Sequence, residues 1–108
     1  MIEQLRIYEI FEPSRAAFLA RFRDHAMRIM ARHGFHILAI WESRSELGLE
    51  FSYLLEWPDE PSLRAAWASF LADEEWIRIK RETPEDQGPM VGMIEDRVLI
   101  PVEYSPHL

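Results

Sequence analysis

The hydrophobic pattern of the chain switches repeatedly between the two-residue period of a strand and the three- to four-residue period of a helix, and the order of these switches limits the fold. The two-residue period predicts strands over residues 2–11, 35–42, 49–57 and 93–102. The helical period predicts a long helix after Ser14, a second helix after Asp59 and a short one from Glu74 to Glu82. The elements therefore follow the order β-α-β-β-α-β, with the short helix appended to the second one.

Capping and turn residues set the ends of these elements. Ser14, Asp59 and Asp73 stand where helices begin, because their side-chain oxygens can accept hydrogen bonds from the free amides of a first turn. Gly34 ends the first helix, since glycine tolerates the left-handed conformation found there. Residues 43–48 are predicted to form a hairpin loop between the second and third strands.

This order of elements is that of the ferredoxin-like fold. We predict an α+β protein with a four-stranded antiparallel sheet and the helices on one face of it. With 108 residues and 48% hydrophobic composition, the chain is expected to form a single domain over residues 1–108.

The predicted strands are apolar on both sides, and two helices can cover only one. In the first strand, Leu5 and Ile7 point to one side, and the other side carries Gln4, Arg6, Tyr8 and Ile10. In the second strand, one side carries Phe35, Ile37, Ala39 and Trp41. A large exposed apolar patch is uncommon on a monomer. We therefore predict a homodimer in which two sheets face each other, with the Arg6 and Tyr8 side as the shared floor.

Composition excludes several classes of function. A formal net charge of −7 argues against a nucleic-acid partner, because phosphates would be repelled. The absence of cysteine excludes disulfides, thiolate catalysis and cysteine-ligated metals. No apolar run approaches the ~20 residues that cross a membrane, and the N-terminus lacks the basic and apolar regions of a signal peptide. We expect a cytoplasmic protein with neither a membrane nor a nucleic-acid partner.

Five short stretches stand in order along almost the whole chain: Leu5-Arg6-Ile7-Tyr8-Glu9-Ile10, His33-Gly34-Phe35 leading to Trp41, Glu56-Trp57, Asp73-Glu74-Glu75-Trp76, and Leu99-Ile100-Pro101 followed by Ser105-Pro106. In this order and spacing they resemble the NIPSNAP family of the dimeric α+β barrel superfamily. The sequence departs from the family at Gln4, where a glutamate is expected, at Ala39, where glycine is frequent, and at Leu55, where an aromatic residue is frequent.

The resemblance implies a ferredoxin-like protomer that dimerises into a barrel, with a small cavity beside each sheet. It does not imply one reaction, because better-known superfamily members include cofactor-free quinol monooxygenases, haem-degrading monooxygenases and isomerase relatives. Gln4 also removes a carboxylate from the face that holds Arg6 and Tyr8. Any role of that carboxylate, as a base or as the partner of Arg6, is therefore absent or has moved to another residue.

Arg6 and Tyr8 are the candidate catalytic residues. The Arg6 guanidinium can hold a carboxylate or a phenolate, and Tyr8 can donate a hydrogen bond to it. The alternative is a structural pair that bridges strands or subunits, with Glu56 or Glu50 opposite. Ligand-binding candidates are the same pair together with Trp41, Tyr53 and Glu56.

The histidines give a weaker signal. His33 and His36 can approach each other, but no third ligand is predictable, so we predict no metal site and no cofactor. A haem ligand among the histidines stays open as an alternative.

Two functions from different classes fit these residues. The first is an enzyme that acts on a flat or carboxylated small molecule, as a cofactor-free monooxygenase or an isomerase. In it Arg6 orients an anionic group, Tyr8 donates a hydrogen bond, and Trp41 and Tyr53 sandwich the ring. The second is a non-catalytic dimeric binding module whose sheet face is all interface, and a haem binder is a further alternative.

Overall fold

Four antiparallel strands form one sheet in the computed structural model, which describes residues 1–83 and 89–106. The strands are β1 (Ile2–Ile10), β2 (His36–Ser45), β3 (Gly48–Trp57) and β4 (Val91–Leu99). Their order across the sheet is β2-β3-β1-β4, which places β1 between two neighbours and β4 at an edge. The predicted α+β ferredoxin-like arrangement is confirmed.

Helices cover one face of this sheet. The first is composite: a 3-10 turn (Glu12–Ser14) leads into α1 (Arg15–Arg21), a π-helical turn (Phe22–Ala26) and α2 (Met27–Arg32). After β3 come α3 (Glu60–Leu71) and α4 (Glu74–Glu82). Within the described ranges, no helix has the length and apolar character needed to cross a membrane.

The helix ends follow the predicted caps with one exception. Asp59 accepts from the Ser62 amide at 2.8 Å, and Asp73 accepts from the Trp76 amide at 3.1 Å. Gly34 has a φ of 87°, in the left-handed region. The prediction that Ser14 caps the first helix is wrong, because its side chain makes no capping hydrogen bond. The 3-10 turn that precedes α1 already leads the backbone into the helix.

The first helix is less regular than its sequence predicts. Phe18, Phe22 and Ala26 are spaced four apart, which suits both an uninterrupted α-helix and a helix with one π-helical turn. All three are buried, and the Phe22 ring lies 4.8 Å from that of Phe51 and 5.0 Å from that of Tyr53. The turn is therefore set by packing on the sheet.

The β2–β3 hairpin is tighter than predicted, and β2 contains a bulge. Only two residues connect Ser45 to Gly48, in place of the predicted loop 43–48. The register of β2 against β3 shifts between Ile37 and Ala39, so the residues that follow point to the opposite faces from those predicted. Trp41 is paired with Ser52 and lies on the face away from the helices.

The helices cover the Arg6 and Tyr8 side of the sheet. In the β1–β3 register, Arg6 pairs with Tyr53 and Tyr8 pairs with Phe51, and these two β3 residues belong to the buried core. The prediction that this side is shared with a second copy is wrong. The reason is that the large apolar residues of β3, two apart from Leu49 to Trp57, need the aromatic side chains of both main helices against them.

The other face of the sheet has no cover among the described residues, and we call it the open face. Its middle is an apolar strip from three strands: Leu5 and Ile7, then Leu54, then Trp41. Trp41 is 49% exposed. Two helices leave this face uncovered, as the strand pattern predicted.

Four polar side chains fix the junction between the first helix, α3 and α4. The His33 ring bonds Ser69 Oγ through Nδ1 at 2.7 Å and Asp73 Oδ2 through Nε2 at 2.7 Å. Arg32 donates to the same Asp73 oxygen at 2.8 Å. Asp73 also caps α4, and His33 also bonds Ser69 of α3, so these side chains together tie the three helices.

The junction predicts a pH-dependent stability. The His33 ring and the Arg32 guanidinium hold the pKa of Asp73 well below its usual range. A depressed pKa means that the stabilisation is present above the usual aspartate pKa of about 3.9 and is lost as the pH falls towards the folded value. We expect Asp73→Asn to be less stable than the parent at neutral pH, with a difference that shrinks below about pH 4. Urea unfolding across this pH range measures it.

Asp24→Asn is the control, because it removes an exposed pair with the adjacent Arg23. If the difference in unfolding free energy between the parent and Asp73→Asn stays constant down to about pH 3, the assignment of a depressed pKa to Asp73 is contradicted.

Candidate functional site

A cavity of about 250 Å³ lies between the helices and the sheet. Its floor is Arg6 and Tyr8 of β1, with Ile94 of β4 beside them. Its walls are aromatic and come from each helical element, including Phe22, Trp67 and Trp76. Since Arg6 and Tyr8 are two apart on one strand, the alternation of β1 sends both side chains into the same space.

Arg6 is the charged group of the floor and is held from three sides. Its Nη1 donates to Asp96 Oδ2 at 3.0 Å, and its Nη2 donates to Tyr8 Oη at 3.1 Å. Its Cζ lies 4.4 Å from the centre of the Trp67 ring, a cation–π distance. Burial on its own lowers the pKa of Arg6, but the Tyr8 and Tyr53 hydroxyls outweigh it and hold the pKa above its usual range. The guanidinium therefore stays charged.

Gln4 connects the groups around Arg6 through one amide. It is 1% exposed, and its Oε1 accepts from the indole N–H of Trp57 at 3.0 Å and of Trp67 at 2.8 Å. Its Nε2 donates to Asp96 Oδ1 at 2.9 Å. The amide needs both functions, since an oxygen must face the two indoles and a donor must face the carboxylate.

The Tyr8 hydroxyl lies between two polar neighbours, Arg6 and Tyr53. Tyr53 is fully buried, and its hydroxyl lies 2.8 Å from that of Tyr8. Burial, reinforced by the Tyr8 hydroxyl, raises the pKa of Tyr53, so its phenol keeps its proton. Either hydroxyl can donate in this pair. We assign the donor role to Tyr53, because Tyr53 is fully buried with the Tyr8 oxygen as its acceptor, whereas Tyr8 also lines the cavity. That oxygen then accepts from both Arg6 and Tyr53, and the proton of Tyr8 is left for the cavity.

Two further cations stand at the rim of the cavity, around Trp76. Lys80 Nζ lies 5.7 Å from the centre of the Trp76 ring, and Arg21 Cζ lies 5.6 Å from it. Lys80 is exposed, whereas Trp76 is buried. Among the described residues, three cations and no carboxylate line the cavity, in a chain whose formal net charge is −7.

The structure brings some of the predicted site residues together and separates others. Arg6 and Tyr8 line the cavity, and Tyr53 supports Tyr8 from behind. Trp41 and Glu56 lie on the open face, so Trp41 and Tyr53 cannot sandwich one ring. Glu56 faces His36 there, at 3.5 Å. The expectation that Arg6 pairs with Glu56 or Glu50 is wrong, because both glutamates project from the opposite face of the sheet.

Several site residues were not identified from the sequence. Asp96 supplies the carboxylate that pairs with Arg6. The sequence pattern that could have indicated it is a polar residue between Ile94 and Val98 on one face of the last strand. Trp67 and Trp76 fit the apolar stripes of their helices, and nothing in that pattern distinguishes a cavity wall from plain core.

Haem, as implied by superfamily members, does not fit this cavity. None of the described lining residues is a histidine. His33 is bound to Ser69 and Asp73, and His36 lies on the open face. An imidazole ligand for the iron is therefore not present among these residues.

Comparison with known proteins gives a family and a fold. A family model described as NIPSNAP matches residues 2–106. Comparison with curated protein sequences finds no match. Among solved structures, an uncharacterized NIPSNAP-like domain protein from Burkholderia xenovorans aligns with a TM-score of 0.81 and 20% identity, covering 99% of this chain and 90% of that one.

Two further structures show the range of the fold. A NIPSNAP family protein of unknown function from Agrobacterium tumefaciens aligns with a TM-score of 0.81 and 17% identity, over 98% of this chain and 92% of that one. An antibiotic biosynthesis monooxygenase aligns with a TM-score of 0.59 and 18% identity, over 94% of this chain and 99% of that one. At these identities the likeness concerns the fold alone.

The Gln4 amide and the Asp96 carboxylate predict a reciprocal substitution. Gln4→Glu places a buried carboxylate at position 4 within hydrogen-bonding distance of the Asp96 carboxylate, whose side chain is 45% exposed, and we expect a loss of about 1–3 kcal/mol of unfolding free energy. Adding Asp96→Asn restores a donor between the two side chains and should recover most of that loss. Urea unfolding of the parent, both single variants and the double variant measures the coupling.

Additive losses in the double variant would show that the two side chains do not interact. Glu3→Gln, on the neighbouring position of β1 and on the open face, is the control for a change of charge alone.

Proposed function

The chain belongs to the NIPSNAP family, and we propose that it binds a small, largely apolar molecule in the cavity above β1, with an oxygen of that molecule accepting a hydrogen bond from Tyr8. The observation that carries this proposal is the Tyr8 hydroxyl, which lines the cavity and lies 3.1 Å from Arg6 Nη2 and 2.8 Å from the Tyr53 hydroxyl. With Arg6 donating to the Tyr8 oxygen and Tyr53 assigned as the second donor, the Tyr8 proton can point into the cavity. A donor that faces an apolar space calls for an acceptor there.

The walls of the cavity define the body of the ligand. Phe18, Phe22 and Phe70 are almost fully buried and line the space together with Trp67 and Trp76. Aromatic side chains pack well against a flat ring. A cavity of about 250 Å³ is near the lower end of ligand sites, which run from roughly 300 Å³ upwards, so the ligand has about the size of one or two fused rings.

The same groups support chemistry on the bound molecule. When Tyr8 gives its proton to the ligand, its oxygen keeps the hydrogen bonds from Arg6 and Tyr53, which is the arrangement of a proton donor. An isomerase also needs a base, and no carboxylate or imidazole lines the cavity among the described residues. Cofactor-free oxygenation has the same need unless the substrate enters the cavity already deprotonated. The groups present therefore support stabilisation of a phenolate or enolate that arrives as the anion, with O2 as the oxidant, over isomerisation.

The proposal predicts the effect of removing one hydroxyl. With 2-naphthol as the probe, Tyr8→Phe should lose about 1 kcal/mol of binding free energy, roughly a fivefold rise in Kd, because one hydrogen bond disappears while the shape of the site is kept. Tyr104→Phe, an 87% exposed tyrosine outside the cavity, is the matched control. Calorimetric titration measures the affinities.

Equal affinities of the parent and Tyr8→Phe would overturn the binding proposal. Oxygen uptake with 1,4-dihydroxynaphthalene separates turnover from binding. Oxygen uptake that is lost in Tyr8→Phe supports an oxygenase. If the probe binds but oxygen uptake does not exceed the rate without protein, the result supports a binding protein without this activity.

A second candidate function uses the open face, whose apolar strip has no cover among the described residues. The proposed occupant is a second copy of the chain, with the two sheets face to face around a two-fold axis. The open face, made of four strands of nine to ten residues, has an area of roughly 600 Å² in one copy. Two copies face to face would therefore bury about 1,200 Å², the lower limit of a stable interface. In this form the protein is a dimeric binding module whether or not it is an enzyme.

The dimer proposal predicts that Trp41→Glu converts the protein to a monomer, because a carboxylate would be buried without a partner at the β2 end of the strip. Ile77→Glu, which makes the same change at an exposed position of α4, should keep the mass of the parent. Light scattering over a dilution series measures both. A Trp41→Glu variant that remains dimeric at every concentration would rule out the open face as the dimer interface.

A further inference from the structure

Two pairs of glutamates stand directly opposite each other on the open face. Glu3 of β1 is the register partner of Glu56 of β3, and Glu9 of β1 is the register partner of Glu50. All four alternate with side chains that point to the helices, so they lie on the side away from them. Like charges directly opposite each other on neighbouring strands destabilise a sheet. The two pairs are therefore unfavourable within a single copy.

The side chains of these pairs have few polar partners. Within residues 1–83 and 89–106, neither Glu3 nor Glu50 makes a side-chain hydrogen bond or an ion pair. Glu9 accepts from the Met93 amide at 3.1 Å, which leaves its charge in place. The carboxylates therefore remain available to whatever covers the open face.

The other charged groups of the open face do not balance the two pairs. His36 lies 3.5 Å from Glu56 and carries a charge only when it is protonated. Arg97 of β4 is already paired with Glu95 of the same strand. At neutral pH, the open face is therefore an apolar strip with a net negative charge at each end.

A second copy would bring these ends together. Sheets that pack face to face in the aligned manner keep their strands within about 30° of each other. If the two-fold axis runs along the strands, the Glu3 and Glu56 pair meets the same pair of the other copy. If the axis runs across the strands, that pair meets Glu9 and Glu50 of the other copy. Carboxylates face carboxylates in both cases.

We infer that the association of two copies through the open face is linked to the uptake of protons by these glutamates, so that the dimer becomes tighter as the pH falls below neutral. This deepens the second candidate function and rests on it. The dimer holds more carboxylates together than a single copy does, so it binds more protons. Lowering the pH favours the state that binds more protons, and a proton shared between two carboxylates replaces their repulsion by a hydrogen bond.

Light scattering over dilution series at several pH values tests the inference. The Kd of the parent dimer should fall roughly tenfold or more between about pH 7.5 and about pH 5.5. Added salt should also lower the Kd at the higher pH, because it screens the facing charges. Glu50→Gln removes one charge from each copy without breaking a bond. It should tighten the dimer roughly fivefold at the higher pH and reduce the dependence on pH.

Two control variants separate the glutamate pairs from other groups. Glu74→Gln makes the same change of net charge at an exposed position of α4, and its Kd should equal that of the parent at each pH. His36→Gln removes the imidazole, which gains its charge in the same pH range, and the dependence on pH should persist in it.

The outcomes separate the inference from the dimer on which it rests. If the parent dimerises with a Kd that does not change with pH, or if Glu50→Gln behaves like Glu74→Gln, the linkage to the glutamates is wrong. The same holds if His36→Gln loses the dependence on pH. In these cases a dimer that Trp41→Glu dissociates still supports the second candidate function. If the parent is a monomer at every pH and concentration, both proposals fall.

Discussion

The buried amide of Gln4 is the interaction on which the site depends. It is almost fully enclosed, yet each of its polar atoms has a partner: two indole donors for the oxygen and one carboxylate for the nitrogen. Leaving the buried Gln4 amide or the buried Trp57 indole unpaired would cost about 1–3 kcal/mol, so these two side chains fix each other, whereas Asp96 is nearly half exposed to solvent. Through it β1 is joined to β3, β4 and α3 by side chains as well as by the backbone.

The consequences continue along β1. Because Gln4 holds Asp96, the carboxylate is in place to receive Arg6, and Arg6 in turn donates to Tyr8. Tyr53 closes the series from the buried side. The Tyr8 hydroxyl at the end of this series lines the cavity, and Arg6 Nε is the one buried nitrogen of the series with no hydrogen-bond partner among the described residues. A hydrogen-bonded series that ends at a cavity can present a rigid hydrogen-bond donor to a ligand.

The distribution of charge follows from the same packing. The chain is acidic as a whole, but among the described residues three cations and no carboxylate line the cavity, and Asp96 beside it is paired with Arg6. Net charge describes what the whole molecule attracts, and a cavity is governed by the few groups that line it. An acidic chain, whose net charge argues against a nucleic-acid partner, can therefore still contain a small cavity with a basic lining.

The sequence by itself determined the order of elements, the caps at Asp59 and Asp73, the glycine at the end of the first helix, and the placing of Arg6 and Tyr8 on one face of the first strand. These features depend on local periodicity and on backbone conformation, which a short stretch of sequence specifies. Only the tertiary structure decided which face of the sheet the helices cover, that a bulge at Leu38 sends Trp41 to the open face, and that Asp96 takes the place of the carboxylate missing at Gln4. The physical reason is that these depend on packing and hydrogen bonds between residues far apart in the chain. One extra residue in a strand inverts every side chain after it, and periodicity cannot register such a change in advance.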